Sequence, residues 1–332
     1  MTVACRRPGS RAVEPVQYLA LEAILNTALP FFALIFCGYG AGRFDLLSAA
    51  SVAGVNAFVF YFALPTFLFN LMATSPIGEV PIGPFVAAYL GTGLAVFAVA
   101  ALLGSALFTV RPGEAAVQGA AAVLGNTGYM GLPLVVAAFG NEAAIPLAVG
   151  LTIEATILIP LTIVLIEATK GLGEGLLNLL ASVATAMARN PLIVAILAGA
   201  LFSATGLALP TPIENFTNLL GNAAGPCALF ALGATLAGQR LSSGLGEVSY
   251  MTAFKLFIHP AAMWFATTRL FDVDPLWATV AILGASLPVA ANVFIVAKQY
   301  DTYVERTSSA ILLSTTVSVV TVSALLTILP LQ

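Results

Sequence analysis

The chain of 332 residues is 60% hydrophobic and only 8% charged, with a mean hydropathy of +1.01 and a net charge of −3. A soluble domain carries about 25% charged residues, so this chain cannot cover a water-facing surface, and it has no basic block to suit nucleic acid. It reads as an all-α integral membrane protein, its apolar runs being helices rather than the alternating strands of a barrel.

The first 17 residues, MTVACRRPGSRAVEPVQ, are charged and broken by Pro8 and Pro15. No short apolar core with a cleavage site follows, so residues 1–17 read as a tail or an over-long start rather than a signal peptide. Cutting the rest at charged and Pro/Gly punctuation leaves apolar segments of about 20 residues, each enough to cross the hydrocarbon core. They run near 18–41, 48–73, 83–109, 115–139 and 143–168, then 190–208, 213–238, 248–270, 275–299 and 304–329. The charged stretch 169–189 divides these ten into five spans in 18–168 and five in 190–329.

The halves echo each other. Asn26 and Asn190 precede spans one and six, Pro65 and Pro226 punctuate spans two and seven, and Pro133 and Pro288 punctuate spans four and nine. An odd number of spans per half requires the two copies to be inverted in the membrane. The odd-numbered loops hold Arg43, Arg111, Lys170, Arg189, Arg240, Lys298 and Arg306, whereas the even-numbered loops hold only Arg269. That asymmetry puts the odd loops in the cytoplasm and both termini outside, against the contrary pull of Arg6, Arg7 and Arg11 in the tail.

Spans four and nine carry the least helical residues, GNTGYMGLP at 125–133 and GASLPVAANVF at 284–294. Irregular backbone survives at membrane depth only inside protein or beside a watered cavity. Interrupted spans at corresponding repeat positions point to a transporter's binding site. A broken helix offers free amides and a positive dipole end to a carboxylate. Asn126, Thr127, Ser286 and Asn292 add side-chain donors around the backbone of Gly128.

These motifs, GNTGYMGLPLVVAAFG and ASLPVAANVFIVAKQY, together with NAFVFYFALPTFLFNLMA in span two, resemble the auxin efflux carrier family of plant PIN carriers and bacterial dicarboxylate permeases. The resemblance covers the chain from about residue 20. It implies ten transmembrane helices in two inverted five-helix repeats, with helices four and nine crossing at Pro133 and Pro288. It also implies a dimerising scaffold of spans one, two, six and seven. Spans three to five and eight to ten would form a transport domain that moves against that scaffold like an elevator. The implied function is transport of small organic anions, an auxin-like acid or a dicarboxylate, in a cell inner membrane, as a homodimer. Val289 and Ala290 stand where the plant carriers have Gln-Gly, and the plants' long hydrophilic loop is missing.

Glu154, Lys255 and His259 are the ionisable residues deepest in the spans. A charge at mid-bilayer costs at least about 2.5 kcal/mol, which marks them for charge or proton coupling, or for an ion pair locking two helices. Lys255 and His259, four apart, share a helix face. The hydroxyls of span ten suit interhelical hydrogen bonds, or a sodium site. Cys5, Cys37 and Cys227 are scattered, so neither a disulfide framework nor a metal site is indicated, and no cofactor is expected. One histidine, no nucleophile elbow and no phosphate loop argue against an enzyme or an ATP-driven pump. A channel would want a continuous polar pore, whereas the polar residues concentrate at two breaks. The closest alternative is a sodium-coupled organic-anion symporter of the bile-acid type, which shares the crossover plan but wants acidic or amide residues clustered at the breaks, where this chain offers Asn126 and Asn292 but no carboxylate.

Overall fold

The computed structural model describes residues 29–74, 82–170, 188–239 and 244–329, with residues 181, 184 and 185 between them. The N-terminal tail, the start of span one with Asn26, most of the 169–189 connection and Arg240 lie outside the described residues. Among the described residues the secondary structure is helical, apart from one isolated antiparallel β-bridge.

Each of the ten apolar segments carries helix. In chain order these are α1 Leu29–Arg43, α2 Ala49–Thr74, α3 Ile82–Phe108, α4 Pro112–Val123, α5 Thr127–Phe139 and α6 Asn141–Thr169. The second half gives α7 Pro191–Ser203, α8 Thr211–Ala237, α9 over 245–270, α10 Pro275–Ala285, α11 Ala291–Gln299 and α12 Val304–Ile328. Helices α2, α3, α6, α8 and α12 are each long and apolar enough to cross a membrane. The fourth and ninth segments are each split in two, α4 with α5 and α10 with α11.

Proline shapes the long helices in one repeated way. Five-residue π-turns at Val59–Ala63, Thr127–Gly131, Glu154–Leu158 and Phe254–Ile258 sit immediately before Pro65, Pro133, Pro160 and Pro260. A proline ring clashes with the carbonyl one turn back and offers it no N–H. Widening that turn removes the clash and keeps the helix continuous. Glu154 and Lys255 both fall in such turns.

Two helix pairs pack closely. At Gly38 and Gly233 the backbones of α1 and α8 approach so nearly that an added Cβ would run into the facing carbonyls of Phe230 and Ile35. On the other side α7 lies along α2. Small residues at a membrane interface let dispersion contacts replace the hydrophobic drive that lipid does not supply. A large apolar core, including Phe32, Leu64, Leu68, Leu132, Leu147 and Leu229, joins these pairs to α5 and α6. A second core, with Phe97, Val117, Leu158, Met251 and Val293, holds α3, α4, α6, α9 and α11 together with α12.

Candidate functional site

The two split spans meet where they break. Helix α4 ends at Val123, and Leu124 is extended at φ −73° and ψ 113°. Helix α10 ends at Ala285, and Pro288 biases the residue before it away from helix. The freed backbones pair: Asn126 N–H donates to Pro288 O at 2.9 Å, and Ala290 N–H to Leu124 O at 3.0 Å. This makes the antiparallel bridge between Gly125 and Val289. Such pairing answers the cost of unsatisfied amides at membrane depth. Ser314 on α12 completes it, accepting Val289 N–H at 3.0 Å.

Gly125 is required by crowding. A Cβ there would lie 3.0 Å from Gly284 O and 3.4 Å from both Lys255 Nζ and Thr127 Oγ1. The glycine therefore lets a buried charge cluster close around the bridge. Glu154 is 4% exposed, Lys255 0% and His259 1%. Tyr89 on α3 donates to Glu154 Oε1 at 2.8 Å. The Thr127 hydroxyl, with one proton, lies 3.2 and 3.1 Å from the two Glu154 oxygens and 3.2 Å from Gly125 O. Lys255 Nζ donates to Ala285 O at 2.5 Å, so the ammonium caps the carbonyl end of α10. It also lies 3.4 Å from His259 Nδ1. With Lys255 as an ammonium, which only donates, Nδ1 is the acceptor there.

Glu154 and Lys255 form no direct ion pair; among the described residues that geometry occurs at Arg306 and Glu247, 2.5 Å apart. The two deep charges stand on either side of the first break, with Thr127 and Gly125 between them.

The other expected site residues are sorted by the same geometry. Asn126 is 7% exposed, and its side-chain amide makes no hydrogen bond among the described residues. Its carbonyl accepts from Met130 and Gly131. Helix α5 starts at Thr127, so its first amides have no carbonyl one turn back to bind. Gly128 is half-buried and open, with only Leu64 in reach of an added Cβ, at 3.9 Å. Ser286 turns its hydroxyl back onto Ile282 O at 2.7 Å and so finishes its own helix.

Two expected placements differ. Pro133 does not stand at the bridge; it occupies the second position of Leu132–Phe139 and packs on Gly225 of α8. A proline in the first turn costs no hydrogen bond, so the break lies upstream, at Gly125. Pro288 does stand at the bridge. Asn292 lies on the exposed face of α11, because helix restarts at Ala291 and its phase turns residue 292 away from the pairing. Tyr89 was not expected; Ser314, one of the span-ten hydroxyls, makes a hydrogen bond of the interhelical kind read for them. A tyrosine in the middle of a 27-residue apolar helix is the signal for the former, since its hydroxyl needs a partner there.

Two cavities of about 240 Å³ flank the bridge. One is lined by Leu34 of α1, Phe67 of α2, Pro133 and Val136 of α5, and Gly225 and Leu229 of α8. The other is lined by Phe60 of α2, Thr152 and Pro160 of α6, Ile193 of α7, and Asn292 and Gln299 of α11. An antiparallel pairing sends its two chains off in opposite directions, so α5 and α11 carry these cavities to opposite sides of the bridge.

The family model described as "Membrane transport protein" matches residues 23–326. A Rhizobium meliloti (strain 1021) protein named "Putative malonate transporter" is 35% identical over 306 residues, which is 92% of this chain and 96% of that one. An uncharacterized transporter of Methanocaldococcus jannaschii is 26% identical over 311 residues, 90% of this chain and 96% of its own. Auxin efflux carrier component 8 of Arabidopsis thaliana is 22% identical over 352 residues, 90% of this chain and 95% of the carrier.

Proposed function

Because the chain belongs to the membrane transport protein family, in which auxin efflux carriers are found, we propose that it is a secondary transporter of small organic anions. Short dicarboxylates of the malonate type are the first candidates, given the relative named for malonate. The observation that carries this reading is the backbone pairing of Gly125 with Val289. It puts the amino ends of α5 and α11 together at one point, leaves the Asn126 amide without a partner among the described residues, and has a cavity on each side. An anion is favoured at such helix starts by free amides and by the dipole.

In this reading α1, α2, α7 and α8 are the scaffold, which also carries the homodimer contact, and α3–α6 with α9–α12 are the moving unit. Support comes from exchanging the two halves. The α1–α8 contact then maps onto the α7–α2 contact, and the cavity beside α5 maps onto the cavity beside α11. Inverted repeats of this kind give alternating access by an elevator-like shift of one unit against the other. Both cavities lie between those units. Lys and Arg in the odd loops put the termini outside, in a cell inner membrane. Glu154 touches Thr127 at the break, which brings a buried carboxylate into contact with the start of α5.

Uptake of labelled malonate, malate and indole-3-acetate into proteoliposomes, with and without sodium and pH gradients, tests the reading. Saturable malonate uptake is expected. Failure to carry any of the three acids, in protein that remains folded, sinks it. For orientation, a single cysteine at position 170 is expected to react only from the cytoplasmic side of intact cells.

A further inference from the structure

The charge inventory around the bridge constrains the form in which a substrate crosses. Neither cavity is lined by an ionisable side chain. The ionisable groups near the bridge are Glu154 on α6, Lys255 and His259 on α9, Tyr89 on α3 and Tyr129 on α5. Helices α4, α10, α11, α12 and α2 bring no acid or base to it; their charged residues, such as Glu114, Asp274, Lys298 and Arg306, sit at helix ends. Both tyrosines are occupied, Tyr89 on Glu154 and Tyr129 on Asn56 O at 3.3 Å.

Lys255 is the one ammonium among the buried residues described, and it is not free to meet a ligand. It is fully buried, bound to Ala285 O and set against His259. Those partners and Glu154 all belong to the moving unit, so its surroundings travel with it. Glu154 and Lys255 offset each other when both are ionised, and equally when the proton has passed between them; in either form they contribute no net charge. What remains for an anion is the Asn126 amide and the partial charge of two helix starts, roughly half a charge each. That matches one negative charge. A second would enter a low-dielectric site with nothing to meet it, which disfavours the dianion.

We infer that the site selects monoanions, so that a dicarboxylate is carried in its half-protonated form and brings its own proton. The inference rests on the organic-anion reading above, and it makes the substrate's second carboxyl a neutral hydrogen-bond donor at the bridge. A monocarboxylate of the same size, such as monomethyl malonate, satisfies the site equally well.

Initial uptake of labelled malonate and of monomethyl malonate, below saturation and at clamped membrane potential, is measured in proteoliposomes between pH 6.5 and 8.5. The half-protonated fraction of malonate falls about tenfold per pH unit once its second carboxyl is ionised. Malonate uptake is expected to fall by that factor, while the monomethyl ester, which has no second proton to lose, stays within about twofold. The ester also controls for titration of the protein, which would slow both acids alike. Malonate uptake that is flat with pH, or an ester that is not carried, overturns the inference while leaving the transporter reading intact. Parallel loss of both acids with pH overturns it too, since a group on the protein would then set the dependence. No uptake of either acid overturns the inference, and if malate and indole-3-acetate are not carried either, the transporter reading falls with it.

Discussion

At the second break the polar groups beside the bridge are occupied, whereas at the first several stay open. Ala285 O holds the Lys255 ammonium, Ser286 Oγ is turned back on Ile282 O, and Val289 N–H is taken by Ser314. Around the first break the Asn126 amide has no partner among the described residues, Gly128 faces open space, and the Thr127 proton is shared among three acceptors. The two interruptions are built from similar residues, yet one is finished as an anchor and the other keeps unused hydrogen-bonding capacity. Similar residues at two breaks therefore need not end in similar hydrogen bonding. Among the described residues the open hydrogen-bonding groups lie at the first break, and those at the second are taken up inside the protein.

The largest effect is expected where the anchor meets the buried charges. Lys255→Gln removes the ammonium from Ala285 O and leaves Glu154 without an opposing charge inside the protein. Removing one member of a buried charge system costs about 3–5 kcal/mol, so the melting temperature in detergent should fall on the order of 10 °C. The double change Lys255→Gln with Glu154→Gln should recover most of that loss and bind malonate as the wild type does. A double variant that is stable but has lost affinity would show that Lys255 touches substrate, and the anchor description of the second break would fail.

Asn126→Ala probes the open side. An amide donating to a charged group contributes about 1.5–3 kcal/mol, so malonate affinity should weaken roughly ten- to a hundredfold. The melting temperature without ligand should stay within about 2 °C, because the side chain makes no hydrogen bond among the described residues. Unchanged affinity with lowered stability would reverse the comparison and make the first break the structural one.

Much of this arrangement was readable from the residues, and the unreadable part has definite causes. Glycine and proline mark both interruptions, and Glu154 and Lys255 stand out as charges inside apolar runs. What a single sequence does not carry is register. The family resemblance put the crossing at Pro133, but in a first turn proline is tolerated, and the pairing falls at Gly125. Asn292 looked like the counterpart of Asn126 because both follow a break. Its direction depends on where helix resumes, and a start at Ala291 turns it outward. The fate of Lys255 was equally tertiary, since nothing local shows that a lysine will cap a carbonyl thirty residues on.

A smaller effect tests how the second break is held. Ser314→Ala leaves Val289 N–H buried without an acceptor, which costs about 1–2 kcal/mol of stability. Malonate affinity should stay within about threefold. If affinity falls tenfold while the melting temperature holds, Ser314 reports on the ligand and the second break is not merely an anchor.

Asn292→Ala should do least, and it is the sharpest check on the asymmetry. The side chain is exposed on α11 and lines the cavity with Gln299, away from the hydrogen bonds that join Leu124, Asn126, Pro288 and Ala290. Exposed polar positions exchange one set of solvent contacts for another when truncated, so changes within about 0.5 kcal/mol are usual. Affinity for malonate should therefore stay within about threefold of wild type, and melting temperature should not move. A substrate passing through that cavity meets Asn292 only in transit, so any change should appear in the maximal rate rather than in affinity. The measurement belongs beside Asn126→Ala, on samples purified together. If both asparagines lose affinity tenfold or more, the two breaks contribute alike, and the second one opens to substrate in a way that its occupied hydrogen bonds do not allow. If only Asn126 does, the anion sits at the start of α5.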